Sequence, residues 1–214
     1  RSGTFYAFEG LGSIYWHMVS KLLLAVNENI LKAHQEGEDE TLILALVERY
    51  YDIYEGIGTH KKPQDYGAFP TDAYSHTPMR RGAQQPGMTG QVKEDIICRG
   101  GELGIGINHG QLSFSPKFLK HKEFKGEPFV FSYYDLDNKF NTLEVKPNSL
   151  VFTYCQIPIV YQVGDENKIL VSMAAGESHT FEGNELPLSL SKAIFLREKK
   201  IKYIRVIVKS EQLI

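Results

Sequence analysis

The hydrophobic period of the chain changes near residue 104, and this change limits the possible folds more than any other feature. Before it, Ile14, Met18, Leu22, Val26 and Ile30 recur every four residues, which is the spacing of one face of an α-helix. After it, short apolar segments with period-2 alternation are separated by turn residues. We therefore expect an α+β fold, with a helical domain over residues 1–103 and an antiparallel β-sandwich domain over residues 104–214.

Two long helices are predicted at the start of the chain. Ser13 is a suitable N-cap for the first helix, which ends near Gly37. The acidic run at residues 38–40 suits the positive end of a second helix, which Gly56 stops. A short connection between two amphipathic helices predicts an antiparallel hairpin. The first helix is apolar nearly all round in its N-terminal half and needs more partners than this chain supplies.

A third helix is predicted over residues 89–100. Its pattern places Val92, Ile96 and Ile97 inside and residues 93–95 outside.

Short strands follow the third helix. The segment that contains Pro158 is expected to be an edge or bulged strand, because proline cannot donate a ladder hydrogen bond. The predicted strands cover residues 111–115, 129–131, 150–152, 157–163, 168–173, 193–196 and 203–208.

Composition and motifs exclude several classes of protein. The net charge of −2, from 24 Lys and Arg against 26 Asp and Glu, gives no basic field for nucleic acid. The apolar runs are far shorter than the roughly 18 residues of a membrane span. Two cysteines are too few for a disulfide framework or a multi-cysteine zinc site. Because the chain has no P-loop, dinucleotide or HExxH motif, we expect no cofactor and no metal.

The segment between the second and third helices combines prolines and glycines with aromatic side chains. Tyr66, Phe69, Tyr74 and His76 lie there, close to Asp72. Flat aromatic faces stack on the C–H surfaces of sugars, while carboxylates and amides bind sugar hydroxyls. This composition fits a sugar site; alternatively, the aromatic side chains only pin a long loop to the fold.

Three short motifs resemble the end of the catalytic barrel in cellobiose-phosphorylase-like enzymes. They are GMTGQ at residues 87–91, ELGI at residues 102–105 and NHGQLSFSP at residues 108–116. In that family a loop of small residues opens the last barrel helix, an LGI turn follows, and a strand then begins the C-terminal β-domain. The resemblance implies the C-terminal part of an (α/α)6-barrel glycoside hydrolase or phosphorylase. The chain, which opens at Arg1, is expected to be the tail of a larger bacterial protein.

The resemblance also implies a phosphate site at the loop before the third helix. In the phosphorylases this region helps to hold the inorganic phosphate that attacks the sugar, which would give roles to Gln84, Thr89 and Gly90. The free N–H groups of a helix N-terminus bind anions readily. The alternative is that Thr89 simply caps the helix. This chain has Gln91 where the family has a tryptophan.

Inverting glycosidases use two carboxyl groups about 6.5–9.5 Å apart, one as acid and one as base. Asp72 is a candidate base, and Glu9, which precedes the first helix, is a further candidate catalytic carboxylate, because active-site residues of an (α/α)6 barrel cluster where loops enter the inner helices. Trp16, Tyr66, Tyr74 and His76 are predicted to contact substrate. Two further candidate bases, Glu94 and Asp95, are expected to face solvent. In the family the proton donor lies well upstream, so the chain alone is expected to be inactive.

The expected partners are a carbohydrate, inorganic phosphate and the remainder of the parent chain, without nucleic acid or membrane. Two alternatives stay open: a non-catalytic carbohydrate-binding or structural module, and a degenerate relative that has lost its activity. Few cysteines and no visible signal peptide slightly favour the cytoplasm.

Overall fold

The computed structural model describes residues 16–57 and 92–214 of the chain. The chain divides into two compact units, Arg1–Gly101 and Glu102–Ile214. The described part of the first unit is helical, whereas the second unit is built mainly of strands. The α+β class is therefore confirmed.

The helical unit begins with two helices that pack against each other, α1 (Trp16–Glu36) and α2 (Glu40–Gly56). Asp39 caps α2, because its carboxylate accepts a hydrogen bond from the Thr41 N–H at 2.8 Å. Exclusion of apolar side chains from water stabilises the pair. The buried apolar side chains of α1, α2 and the residue after α2 are Leu23, Ile30, Ala33, Ile43, Val47, Tyr50, Tyr51 and Ile57.

The third helix, α3 (Val92–Glu102), buries the face that the sequence pattern predicted to be exposed. Glu94 is only 2% exposed, whereas Ile96 and Ile97 are 66% and 51% exposed. The prediction that Glu94 faces solvent and that Ile96 and Ile97 face the interior is therefore wrong. The helical period was predicted correctly, but the wrong face of the helix was predicted to be buried. Glu94 is buried because Lys21 of α1 provides a partner for its carboxylate.

The β-unit contains nine strands and one α-helix within the described residues. Two hairpins, β1–β2 and β3–β4, accompany a five-stranded sheet of order β5-β6-β9-β7-β8. The elements are β1 (Ile105–Asn108), β2 (Gln111–Phe114), β3 (Phe129–Tyr134), β4 (Phe140–Val145), β5 (Ser149–Tyr154), β6 (Ile157–Gly164), β7 (Lys168–Met173), β8 (Ser178–Glu182), α4 (Leu188–Phe195) and β9 (Ile201–Lys209).

One strand pair differs from the expected antiparallel arrangement. Strands β6 and β9 are parallel neighbours inside the five-stranded sheet, while every other pairing is antiparallel. The expectation of an edge strand at Pro158 is wrong, because β6 has a neighbour on each side. Proline fits there because the ladder to β9 begins one residue later, at Ile159.

The predicted strand at residues 193–196 is a second error. These residues belong to the end of α4 and to its C-cap. Ser191 fixes this helix, since its hydroxyl accepts a hydrogen bond from the Leu112 N–H at 3.0 Å and donates one to the Pro187 carbonyl at 3.1 Å. Burial of Ala193 and Ile194 then favours a helix packed on β2.

One hydrophobic core stabilises the β-unit. The hydroxyl of Tyr161, a fully buried residue of β6, donates to the Leu103 carbonyl, so the ring is buried without an unsatisfied polar atom. The buried members of the core are Leu103, Leu112, Phe114, Leu119, Phe124, Ile157, Ile159, Tyr161, Ile169, Val171, Leu186, Ile194, Ile201, Ile204, Val206 and Val208.

The turn that leads into β1 requires glycine at position 104. Gly104 has φ +65°, and a Cβ there would lie 2.1 Å from the carbonyl carbon of Ser115. The Ser115 N–H in turn donates to the Gly104 carbonyl at 2.8 Å. Close approach of two backbones and a left-handed conformation both exclude a side chain.

Candidate functional site

The predicted site residues lie almost entirely outside the described part of the chain. Trp16 is the first residue of α1, and nothing further is described of it. The structure therefore neither brings the predicted site residues together nor separates them. Those outside the described residues are Glu9, Asp72, Tyr66, Tyr74, His76, Gln84, Thr89 and Gly90.

The described helices contain a buried polar seam, which we define as Ser20, Lys21 and Asn27 of α1 together with Glu94 of α3. Lys21 Nζ lies 2.9 Å from Glu94 Oε1, and the Lys21 side chain is 51% exposed while that of Glu94 is 2% exposed. The long apolar stem of lysine lets its ammonium group reach water while it pairs with a buried carboxylate. The ion pair thus ties the first turn of α3 to α1.

Asn27 forms the second link of the seam. Its side-chain amide is 1% exposed and donates to the Cys98 carbonyl at 3.1 Å. Gly101 lies directly against it, since a Cβ at that position would fall 2.3 Å from Asn27 Oδ1. The two helices approach this closely only because residue 101 has no side chain.

The seam includes polar atoms without a hydrogen-bond partner. Among the described residues nothing bonds to Glu94 Oε2 or to Ser20 Oγ, although both atoms are buried. A buried, unsatisfied polar atom is costly and calls for an explanation such as an ordered water or a ligand. One oxygen of Glu94 therefore lacks a partner in the protein and could accept a hydrogen bond from an ordered water.

The electrostatics of Glu94 limit what it can do chemically. The hydrogen bond from Lys21 lowers the pKa of the Glu94 carboxyl, an effect larger than the opposing effect of burial. A general acid in a glycosidase needs a raised pKa, so that it still carries its proton near neutral pH. Glu94 is therefore an ionised acceptor and an anchor of α3, and it does not suit the role of proton donor.

A second polar site is a cavity of about 300 Å³ in the β-unit. Its lining comes from four connections, at the ends of β3, β5, β7 and α4. Tyr133, Asn141 and Gln156 lie beside the apolar side chains of Ile157 and Ile201. We refer to it as the β-unit cavity.

Sequence reasoning missed both sites. For the seam, the sequence carries a usable signal. Cys98 and Gly101 are small residues on the same helix face as Glu94, and small residues at this spacing indicate a close contact with another helix. For the β-unit cavity, the sequence carried only the turn signal of Asp137 and Asn138, because its lining converges from segments far apart in the chain.

The described part of the chain contains neither a metal-binding cluster nor a membrane-spanning helix. Across residues 16–57 and 92–214, no group of three or more His, Cys, Asp and Glu side chains could hold a metal ion. In the same ranges no helix is long and apolar enough to cross a membrane.

No protein-family model matches the chain, and no curated protein is significantly similar to it.

Proposed function

We propose that this chain is the C-terminal portion of a carbohydrate-active enzyme with an (α/α)6 catalytic domain, an inverting glycoside hydrolase or phosphorylase. Its helical unit would form the last part of the helical barrel, and its β-unit would follow the barrel. The chain alone would be inactive, because the proton donor is supplied by the remainder of the parent chain.

The observation that supports this proposal most is the distribution of polarity in the helical unit. Three polar residues of the seam, Ser20, Asn27 and Glu94, are buried, while large apolar side chains on all three helices are exposed. The helices also bury an apolar core, but a self-sufficient helical bundle would not leave large apolar side chains of every helix in water as well. Exposed apolar faces of this kind fit helices that are covered by further helices of a barrel. The exposed apolar residues are Met18, Leu22, Leu42, Leu44, Ile96 and Ile97.

The proposed reaction needs little from this chain besides a base and a sugar-binding surface. Asp72 would take a proton from water, whose oxygen bonds to the anomeric carbon as the glycosidic C–O bond breaks. The upstream acid gives its proton to the departing oxygen. In a phosphorylase a phosphate oxygen attacks instead, and the loop that carries Gln84, Thr89 and Gly90 would hold that anion. Glu9 would be a further carboxylate that faces the pocket at the barrel mouth.

Activity of the full-length parent protein tests this proposal. It is assayed on β-linked disaccharides with and without inorganic phosphate, and the anomeric form of the product is read by NMR. We expect turnover with inversion and, where the reaction is hydrolysis, at least a 100-fold loss of kcat/KM for Asp72→Asn, as is common for a general base. Asp52→Asn, an exposed residue of α2 paired with Arg49, is the control and should stay within about twofold. Absence of turnover on every substrate would remove the enzymatic proposal.

A second candidate function is a non-catalytic carbohydrate-binding module, and the β-unit cavity favours it. This second candidate predicts that the present chain binds sugar and that the parent protein does not turn it over. The two candidates therefore differ in one measurement, the release of free sugar or sugar phosphate. Turnover with binding confined to the helical unit would reject the second candidate.

A further inference from the structure

The β-unit cavity lies where several connections of the β-unit converge, and two of its lining residues have strained backbones. Gln156 has φ +66° and Lys199 has φ +58°. Non-glycine residues in this region cost about 1 kcal/mol or more, and such strain gathers at binding sites. Glycine would adopt the backbone conformation of these two positions with less strain, yet both positions carry long polar side chains.

Three of the four charged side chains that line the cavity are bonded within the β-unit. The Asp135 carboxylate accepts hydrogen bonds from the N–H groups of Asp137 and Lys139, both at 2.9 Å, and from the Asn141 amide at 2.7 Å. Lys199 forms an ion pair with Asp137. These bonds lower the pKa of Asp135, chiefly through the Lys139 N–H. Two acidic side chains, Asp135 and Asp137, and two basic ones, Lys199 and Lys202, line the cavity, so its lining carries no net charge that would favour a charged ligand.

The lining of the β-unit cavity combines polar groups that can still bond to a ligand with apolar side chains. Within the described residues no hydrogen bond involves the hydroxyl of Tyr133 or the side-chain oxygen of Asn141. Ile157 and Ile201 supply buried apolar surface. A neutral ligand with hydroxyl groups on one side and C–H groups on another matches this combination, and the volume is at the small end of the range for ligand sites.

We propose that the β-unit cavity binds a neutral sugar, one or two pyranose rings in size, as an accessory site separate from catalysis. The Tyr133 hydroxyl and the side-chain oxygens of Asn141 and Gln156 bond to sugar hydroxyls, and the apolar lining contacts the C–H face of the ring. The choice of a sugar over other neutral polyols rests on the proposed function.

Binding is tested on the present chain by two-dimensional amide NMR during titration with cellobiose, maltose and, separately, sodium phosphate. We expect shifts confined to residues 133–141, 155–157, 174 and 199–202, with a Kd on the order of 1 mM for at least one of the two sugars, and no such shifts with phosphate. The proposal is overturned by absence of shifts at about 20 mM sugar, by equal shifts with phosphate, or by shifts only around the exposed rings of Tyr134 and Phe140.

Two pairs of variants sharpen the test. Tyr133→Phe removes only the hydroxyl and should weaken sugar binding about fivefold, whereas Tyr134→Phe, on the opposite face of β3, should have no effect. Gln156→Gly keeps the left-handed turn and should also weaken binding. Asn148→Gly, another left-handed residue that does not line the cavity, is its control.

Failure of this proposal and failure of the proposed function are distinguishable. Turnover by the parent protein without amide shifts in this chain would reject only the accessory site. Amide shifts without turnover would reject only the catalytic function.

Discussion

At the scale of single residues, the structure gives Glu94 a role that its sequence pattern does not indicate. The carboxylate is buried and bonded to Lys21, which lowers its pKa below the ordinary value of 4.5. A carboxyl group with a lowered pKa in the folded state stabilises the fold above its unfolded pKa. That contribution is lost as the pH falls through the lower, folded value. Glu94 therefore makes the helical unit sensitive to acid.

The prediction is that Glu94→Gln removes part of this acid dependence. In the unmodified chain, helical stability should fall as the pH decreases through the ordinary glutamate pKa toward the lower, folded value, because the unfolded state then binds more protons. The variant should be less stable near neutral pH and show a flatter profile in that range. Urea unfolding followed by far-ultraviolet circular dichroism at several pH values measures both effects.

The matched control is Glu36→Gln, which breaks the exposed pair between Lys32 and Glu36. Exposed ion pairs contribute little to stability, so this variant should follow the original profile. A Glu94→Gln profile parallel to that of the original chain would show that Lys21 does not hold the carboxylate ionised.

At the scale of elements, α3 shows how far sequence patterns reach. Its position and length followed from hydrophobic spacing, yet the pattern placed the wrong face inside. Hydrophobic spacing locates a face but assumes that the apolar side is buried. In α3 the helix instead buries Glu94, Cys98 and Gly101, and only the partner residues on α1 explain why. Those partners lie more than 70 residues away along the chain.

In the β-unit, long-range contacts again decide two features that the sequence pattern mispredicted. Alternation and turn residues located most strands, including the turns at Asn138 and Asn148, both of which adopt a positive φ. The segment at 193–196 has the composition of a short strand, but burial against β2 and the bonds of Ser191 hold it in α4. Pro158 indicated an edge only because strand order, a long-range property, was unknown.

A matched pair of glycine substitutions tests the close contact of α1 and α3. Gly101→Ala should destabilise the helical unit by about 1–3 kcal/mol, because the new methyl group displaces the Asn27 side chain and breaks its hydrogen bond to the Cys98 carbonyl. Gly100→Ala, in the same helix with open space around it, should be neutral or stabilising by up to about 1 kcal/mol. Denaturant unfolding of both variants gives the two values. Equal effects would mean that α1 and α3 do not approach closely at residue 101.

At the scale of the whole molecule, the helical unit has more apolar surface than its own described helices cover. Met18 and Leu22 lie one turn apart on α1 and are 61% and 54% exposed. A contiguous apolar face of this kind marks a contact with another polypeptide surface. Under the proposed function, that surface belongs to the remainder of the parent chain.

The double substitution Met18→Gln and Leu22→Gln should therefore have opposite consequences in two contexts. In the present chain it should change the free energy of unfolding by less than about 0.5 kcal/mol and reduce binding of an apolar dye, because both side chains are already in water. In the full-length parent protein it should lower the melting temperature, since each buried side chain of this size contributes about 1.5–3 kcal/mol. Calorimetry on both proteins measures the contrast. Glu28→Gln, an exposed change on the same helix, should leave both melting temperatures unchanged. A parent protein that tolerates the double substitution as well as the present chain does would show that no barrel wall covers this face of α1.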